Sequence, residues 1–148
     1  MATTDSLEPH VSAALPHLLA VAKERFVAEA QRRLSAAGFP EVTGNGVVFR
    51  WMAPGGGRLS EMVERSGMTK QACGEHIASL EQHGYLVRLP DPDDGRAKLV
   101  VLTERGQAAY TEARRIFSEL EAELAEQVGA ESFAALRDTL ERIVALDG

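Results

Sequence analysis

The sequence predicts a mainly α-helical fold with one small β-hairpin, on three observations. Apolar residues recur every three or four positions through most of the 148 residues, and two β-prone runs flank a single turn rich in Pro, Asp and Gly. A lone cysteine, Cys73, excludes an internal disulfide, so the fold rests on its core alone. The length suits one ordinary domain whose core stands without disulfides or metal.

The first helix follows from Leu15, Leu18, Leu19, Ala22, Phe26 and Ala30 at helical spacing, with Lys23, Arg25, Arg32 and Arg33 on other faces. It ends near Gly38. Pro16 would cost about 3 kcal/mol in a helix interior, so the break is placed near Leu15 with Pro16 in the first turn. Val42 to Ala53 reads as a shorter helix with Val47, Val48, Trp51 and Met52 on its apolar face, broken by Pro54-Gly55-Gly56-Gly57. Leu59, Met62 and Val63 mark another short helix, Ser66-Gly67-Met68 a turn, and Thr69 an N-cap whose hydroxyl accepts from first-turn amides. In the helix that Thr69 opens, Ala72, Cys73, His76, Ile77 and Leu80 face a core. Lys70, Gln71, Gly74, Glu75, Ala78 and Ser79 lie on or near the outer face, and Gly84 ends the helix. Two short helices joined by a glycine-containing turn form a helix-turn-helix. Tyr85 to Leu89 and Ala97 to Thr103 flank the Pro90 to Arg96 turn, and a hairpin at that place makes the motif winged. Thr103 caps a helix running to about Val128 with Tyr110, Ile116, Phe117, Leu120 and Leu124 inside. Gly129 stops it, and Ser132 to Leu146 is a last helix carrying Phe133, Leu136, Leu140, Ile143 and Val144.

Composition narrows the function. The 45% hydrophobic content is ordinary for a globular protein, and the longest apolar stretches fall far short of the roughly 18 residues a membrane span needs. The first residues, MATTDSLEPH, have no basic patch followed by an apolar run, so the expectation is a cytoplasmic protein without membrane contact. Sixteen Lys and Arg stand against 22 Asp and Glu, a formal charge of −6 that argues against nucleic acid if it is evenly spread. It is not. Residues 50–106 hold eight basic and eight acidic side chains; residues 1–49 carry a net −1 and residues 107–148 a net −5. Modest non-specific DNA affinity with strong dependence on a correct site follows.

The segment LSEMVERSGMTKQACGEHIASLEQHGYLVRLPDPDDGRAKLVVLTERG, residues 59–106, resembles the MarR-type winged helix-turn-helix regulators of bacteria. The turn Asp91-Pro92-Asp93-Asp94-Gly95-Arg96-Ala97, followed by Leu102-Thr103 and Gly106, is its most specific part, and the flanking helices keep the family's order. The resemblance implies an obligate homodimer in which the first and last helices of both subunits interlock. It also implies a pseudo-palindromic double-stranded DNA operator, commonly released when a small ligand or oxidant acts. It divides residues 1–148, one MarR-like domain, into a winged lobe over about 42–106 and dimerisation helices over about 9–38 and 107–148.

A recognition helix enters the major groove with its N-terminal residues nearest the bases, here Thr69, Lys70, Gln71 and Gly74, with Glu75 close by. Lysine can contact guanine and glutamine can pair with adenine, though Lys70 serves equally well on phosphate. By resemblance, Arg96 at the wing tip lies in the minor groove with Asp94 orienting its guanidinium; the alternative is a pair that only rigidifies the turn. Arg58, Arg88 and Lys98 read as phosphate contacts or as a solvated face. Glu75 and Gly95 depart from the family, which often has a basic or neutral residue at the first position and arginine at the second. The family's effector pocket lies between the dimerisation helices and the DNA-binding lobe. His17, Phe26, Arg50, Trp51, Tyr110 and Arg114 are its candidates here, a set suited to an aromatic acid or another lipophilic anion, although each aromatic also reads as core.

The remaining features are weaker. His10 and His17, and His76 and His83, share helix faces without the neighbouring ligands of a zinc site. Cys73 falls on the inward face, where cysteine is usually an inert small hydrophobe rather than a redox sensor. Gly55-Gly56-Gly57 lacks the Lys-Ser or Lys-Thr of a phosphate loop, and no nucleophile or acid–base constellation suggests an enzyme. The expectation is a ligand-responsive repressor without metal or cofactor. A winged interaction module without specific DNA binding is the alternative, motivated by the net acidity and Glu75.

Overall fold

The computed structural model describes residues 14–42 and 56–146. Helix α1 (Leu15–Ala36) begins with Pro16 in its first turn, where the missing N–H needs no partner. After it the Phe39 amide donates back to the Leu34 carbonyl at 2.9 Å, and Val42 is buried. The rest of the expected helix to Ala53 lies outside the described residues, and Arg50 and Trp51 with it.

Strand β1 (Gly57–Arg58) leads into α2 (Leu59–Ser66), which ends on Gly67 at φ 67. Helix α3 (Lys70–Gln82) is capped by Thr69, whose hydroxyl accepts from the Ala72 amide at 3.1 Å. Strands β2 (Leu86–Pro90) and β3 (Lys98–Leu102) form the hairpin, paired from Leu86↔Leu102 to Pro90↔Lys98. The sheet has order β1-β3-β2 and is antiparallel throughout, with Gly57 opposite Val100. Sequence reasoning took Pro54 to Gly57 only as a breaker and missed β1, which is two residues long and exists through its pairing with β3. Gly56 makes that approach possible: at φ 93, a Cβ there would lie 2.6 Å from the Val100 carbonyl oxygen.

Helices α4 (Glu104–Val128) and α5 (Ala130–Ala145) meet at Gly129, φ 92. Helix α1 packs on α4 through a Phe26–Phe117 stack with centroids 5.8 Å apart. Arg33, held by Glu29, grips Glu123 with two hydrogen bonds of 2.7 and 2.9 Å. The core runs between the lobes: Met62, Ile77, Leu80, Tyr85, Leu86, Val100 and Ile116 are all buried. Phe117, expected inside, is 37% exposed, and α5 has no buried residue although Leu136, Ile143 and Val144 keep helical spacing. Helix α5 packs on α4 along one side only, leaving much of its apolar stripe in solvent. Among the described residues no helix is long and apolar enough to cross a membrane, and no cluster of His, Cys, Asp and Glu is suited to a metal ion.

Candidate nucleic-acid interface

Helix α3 presents its first turn to solvent because Cys73, Ile77 and Leu80 bury the opposite side and Thr69 satisfies the start. Lys70 and Gln71 are exposed, and Gly74 has open space around the position of a Cβ, so no packing demand of the fold fixes glycine there.

Between α2, α3 and the hairpin lies a cleft of about 450 Å³ with an apolar floor of Leu59, Val63, Ile77 and Val100. Arg58, Lys70, Arg88, Arg96 and Lys98 line it, and no carboxylate does. The five cations are not equivalent. Arg58 donates through Nε to buried Asp91, and Arg88 pairs with Glu81 at 3.1 Å, so both are occupied within the protein. Lys70, Arg96 and Lys98 have no ionic partner among the described residues and present their charge outward.

The wing tip is a built turn. Asp91 accepts from Arg58 and, at 2.9 Å, from the Asp93 amide. The Arg58 guanidinium beside it is the main cause of its depressed pKa, followed by the backbone donor. Asp94 accepts from the backbone N–H of Arg96 at 3.0 Å, and the Asp94 carbonyl accepts from the Ala97 amide. Asp94 thus organises the backbone of Arg96 in an Asx turn and leaves its guanidinium free of it, where the expectation was a carboxylate on the guanidinium. Sequence reasoning missed Asp91 and Glu81 because their partners, Arg58 and Arg88, sit on other elements.

A polar knot ties this lobe to the long helices. Tyr85 is wholly buried; its hydroxyl donates to Glu41 at 2.6 Å and accepts from Arg105 at 2.9 Å. Arg105 also reaches the Gly38 carbonyl and lies over the Tyr85 ring, 4.6 Å from its centroid. Thr103 donates to the Gly84 carbonyl at 2.6 Å and caps α4 at the Gly106 amide. The end of α3, the start of α4 and the turn after α1 therefore meet at one point.

The effector candidates do not converge in the same way. Phe26 lines a groove of about 640 Å³ between α1 and α4 together with Arg25, Arg33, Leu120 and Leu124. Tyr110 is half-buried against the core, while His17 and Arg114 are exposed and line neither this groove nor the cleft.

Residues 53–97 match the model of the MarR family. The HTH-type transcriptional regulator TcaR of Staphylococcus aureus (strain Newman) is 30% identical over 88 residues, a stretch covering 57% of this chain and 58% of TcaR. The repressor CouR bound to a 23-mer DNA duplex superposes with a TM-score of 0.77 at 23% identity, covering 93% of this chain and 98% of CouR. CouR from Rhodococcus jostii RHA1 bound to p-coumaroyl-CoA gives 0.70 at 22% identity, covering 89% and 92%. The winged segment thus matches the MarR family in sequence, and the chain shares its fold over nearly all its length with solved structures of that family.

Proposed function

We propose that the protein is a homodimeric repressor that binds a pseudo-palindromic DNA operator and releases it on binding a small aromatic or lipophilic anion. The observation that carries this reading is the cleft under the wing: five cations, no lining carboxylate, and the exposed start of α3 beside it. Helix α3 would enter the major groove with Thr69, Lys70, Gln71 and Gly74, and Arg96 would follow the adjoining minor groove on the wing. Lys98 would reach phosphate, while Arg58 and Arg88, held by Asp91 and Glu81, would position the wing and touch phosphate only at their edges. The fold neighbour bound to a 23-mer DNA duplex supports double-stranded DNA as the partner.

Two recognition helices must span successive major grooves, roughly 34 Å apart. The exposed leucines and isoleucine of α1 and α5 supply a surface for pairing two copies. An effector bound in the groove that Phe26 lines between α1 and α4 would favour a dimer whose helices no longer match that spacing. The ligand of the second neighbour, an aromatic acyl thioester, supports that chemical class.

Selection from a random duplex pool, followed by fluorescence anisotropy at two salt concentrations, tests the reading. A two-fold-related winner whose affinity falls steeply with salt, and which aromatic acids displace, is expected. A pool that yields no enriched duplex would point instead to a winged interaction module.

A further inference from the structure

Gln71 and Glu75 stand one turn apart on α3, opposite Cys73, Ile77 and Leu80, in the middle of the exposed face. Lys70 is set to one side, in the cleft beneath the wing. Gln71 Nε2 donates to Glu75 Oε1 at 3.1 Å. Because a carboxylate only accepts, this contact fixes which end of the amide turns toward Glu75. Among the described residues no cation pairs with Glu75. A carboxylate at the centre of a DNA-facing surface weakens attraction to phosphate, so affinity does not explain it.

We propose that Glu75 is a positioning residue for base reading, holding the Gln71 amide so that it selects adenine. The inference rests on the operator-binding reading above. A free glutamine amide offers two N–H donors and can face the two acceptors of guanine, O6 and N7, as well as the edge of adenine. With one N–H taken by Glu75, the amide has one donor and its oxygen left. That set matches adenine, whose N7 accepts and whose N6 donates, and leaves one guanine acceptor unmatched. The second oxygen of Glu75 adds to the effect, because it repels the acceptors of guanine and thymine. The contact is weak while water surrounds it and strengthens when the duplex displaces that water.

Gln71→Ala, Glu75→Ala and Glu75→Gln, each selected against a random duplex pool and titrated with the wild-type operator and its single-base variants, test the idea. The wild type is expected to require one adenine per half-site, with roughly tenfold or greater loss on replacing it. Gln71→Ala abolishes that requirement. Glu75→Ala and Glu75→Gln both tighten binding to all duplexes, since each removes a negative charge. Only Glu75→Ala relaxes the adenine requirement, because the amide oxygen of Glu75→Gln still accepts from Gln71. Retention of the adenine requirement in Glu75→Ala, or its loss in both Glu75 variants, would overturn the inference while leaving operator binding intact. A wild-type protein that enriches no duplex would overturn both.

Discussion

At the scale of single residues, Gly106 and Tyr85 bear the closest packing at the junction of the winged lobe and the long helices. A Cβ on Gly106 would fall 2.0 Å from the Tyr85 carbonyl oxygen, a backbone atom that cannot swing aside. Gly106→Ala is expected to lower stability by about 2–3 kcal/mol, read from a urea denaturation midpoint. Tyr85→Phe removes a hydroxyl placed between Glu41 and Arg105 and should cost about 1 kcal/mol at neutral pH. Burial first, and the bond to Glu41 second, hold the Tyr85 pKa up at about 12 against the opposing pull of Arg105. Its ordinary value is 10.0, so the unfolded chain loses this proton first as pH rises. The stabilisation is therefore complete below about pH 10 and disappears as pH climbs to about 12. Denaturation midpoints between those limits should fall less steeply in Tyr85→Phe than in the wild type.

At the scale of elements, the wing depends on one buried carboxylate. The Asp91 pKa is depressed, chiefly by Arg58, so its contribution is present above the ordinary aspartate range and is lost as pH falls through the depressed value. Asp91→Asn should be less stable than the wild type at pH 7, with the difference shrinking on acidification; equal midpoints at every pH would count against this role of the pair. The elements differ in how far local chemistry announces them. Thr69, Gly67 and Gly84 set the boundaries of the helix-turn-helix from within their own turns, and the 91–97 turn sets the hairpin, so these are legible in the sequence. Strand β1 is not, because two residues become a strand only when β3 lies beside them. The candidate site divides in the same way. Gln71 is exposed because periodicity puts it opposite a core, and Lys70 because the first turn of α3 faces solvent beside the wing. That Arg58 and Arg88 are engaged elsewhere depends on Asp91 and Glu81, which the sequence leaves unconnected to them. The stripe on α5 is visible in sequence, but what covers it is not a property of one chain.

At the scale of the whole molecule, uncovered apolar surface is concentrated on the terminal helices. Leu15 and Leu18 are 60% and 51% exposed, and Val144 and Leu146 are 77% and 80% exposed. Leu18→Glu combined with Ile143→Glu should convert the proposed dimer to a monomer in light scattering and weaken operator binding sharply, with helix content retained. A double variant that stays dimeric would place the subunit contact elsewhere. The charge partition fits such an arrangement. The acid excess lies in the segment of α4 and α5, where Arg115 pairs with Glu112 and Arg137 with Glu121, away from the charge-balanced winged segment.

Cys73 gives this molecule a reporter that needs no engineering. It is the sole cysteine, 1% exposed on the inward face of α3, and burial pushes its thiol pKa up. A soluble disulfide reagent can reach it only when α3 lifts from the core, so its labelling rate measures the opening of that one helix. The unmodified protein thus carries a chemical clock for the helix proposed to read DNA, one that an operator duplex should slow.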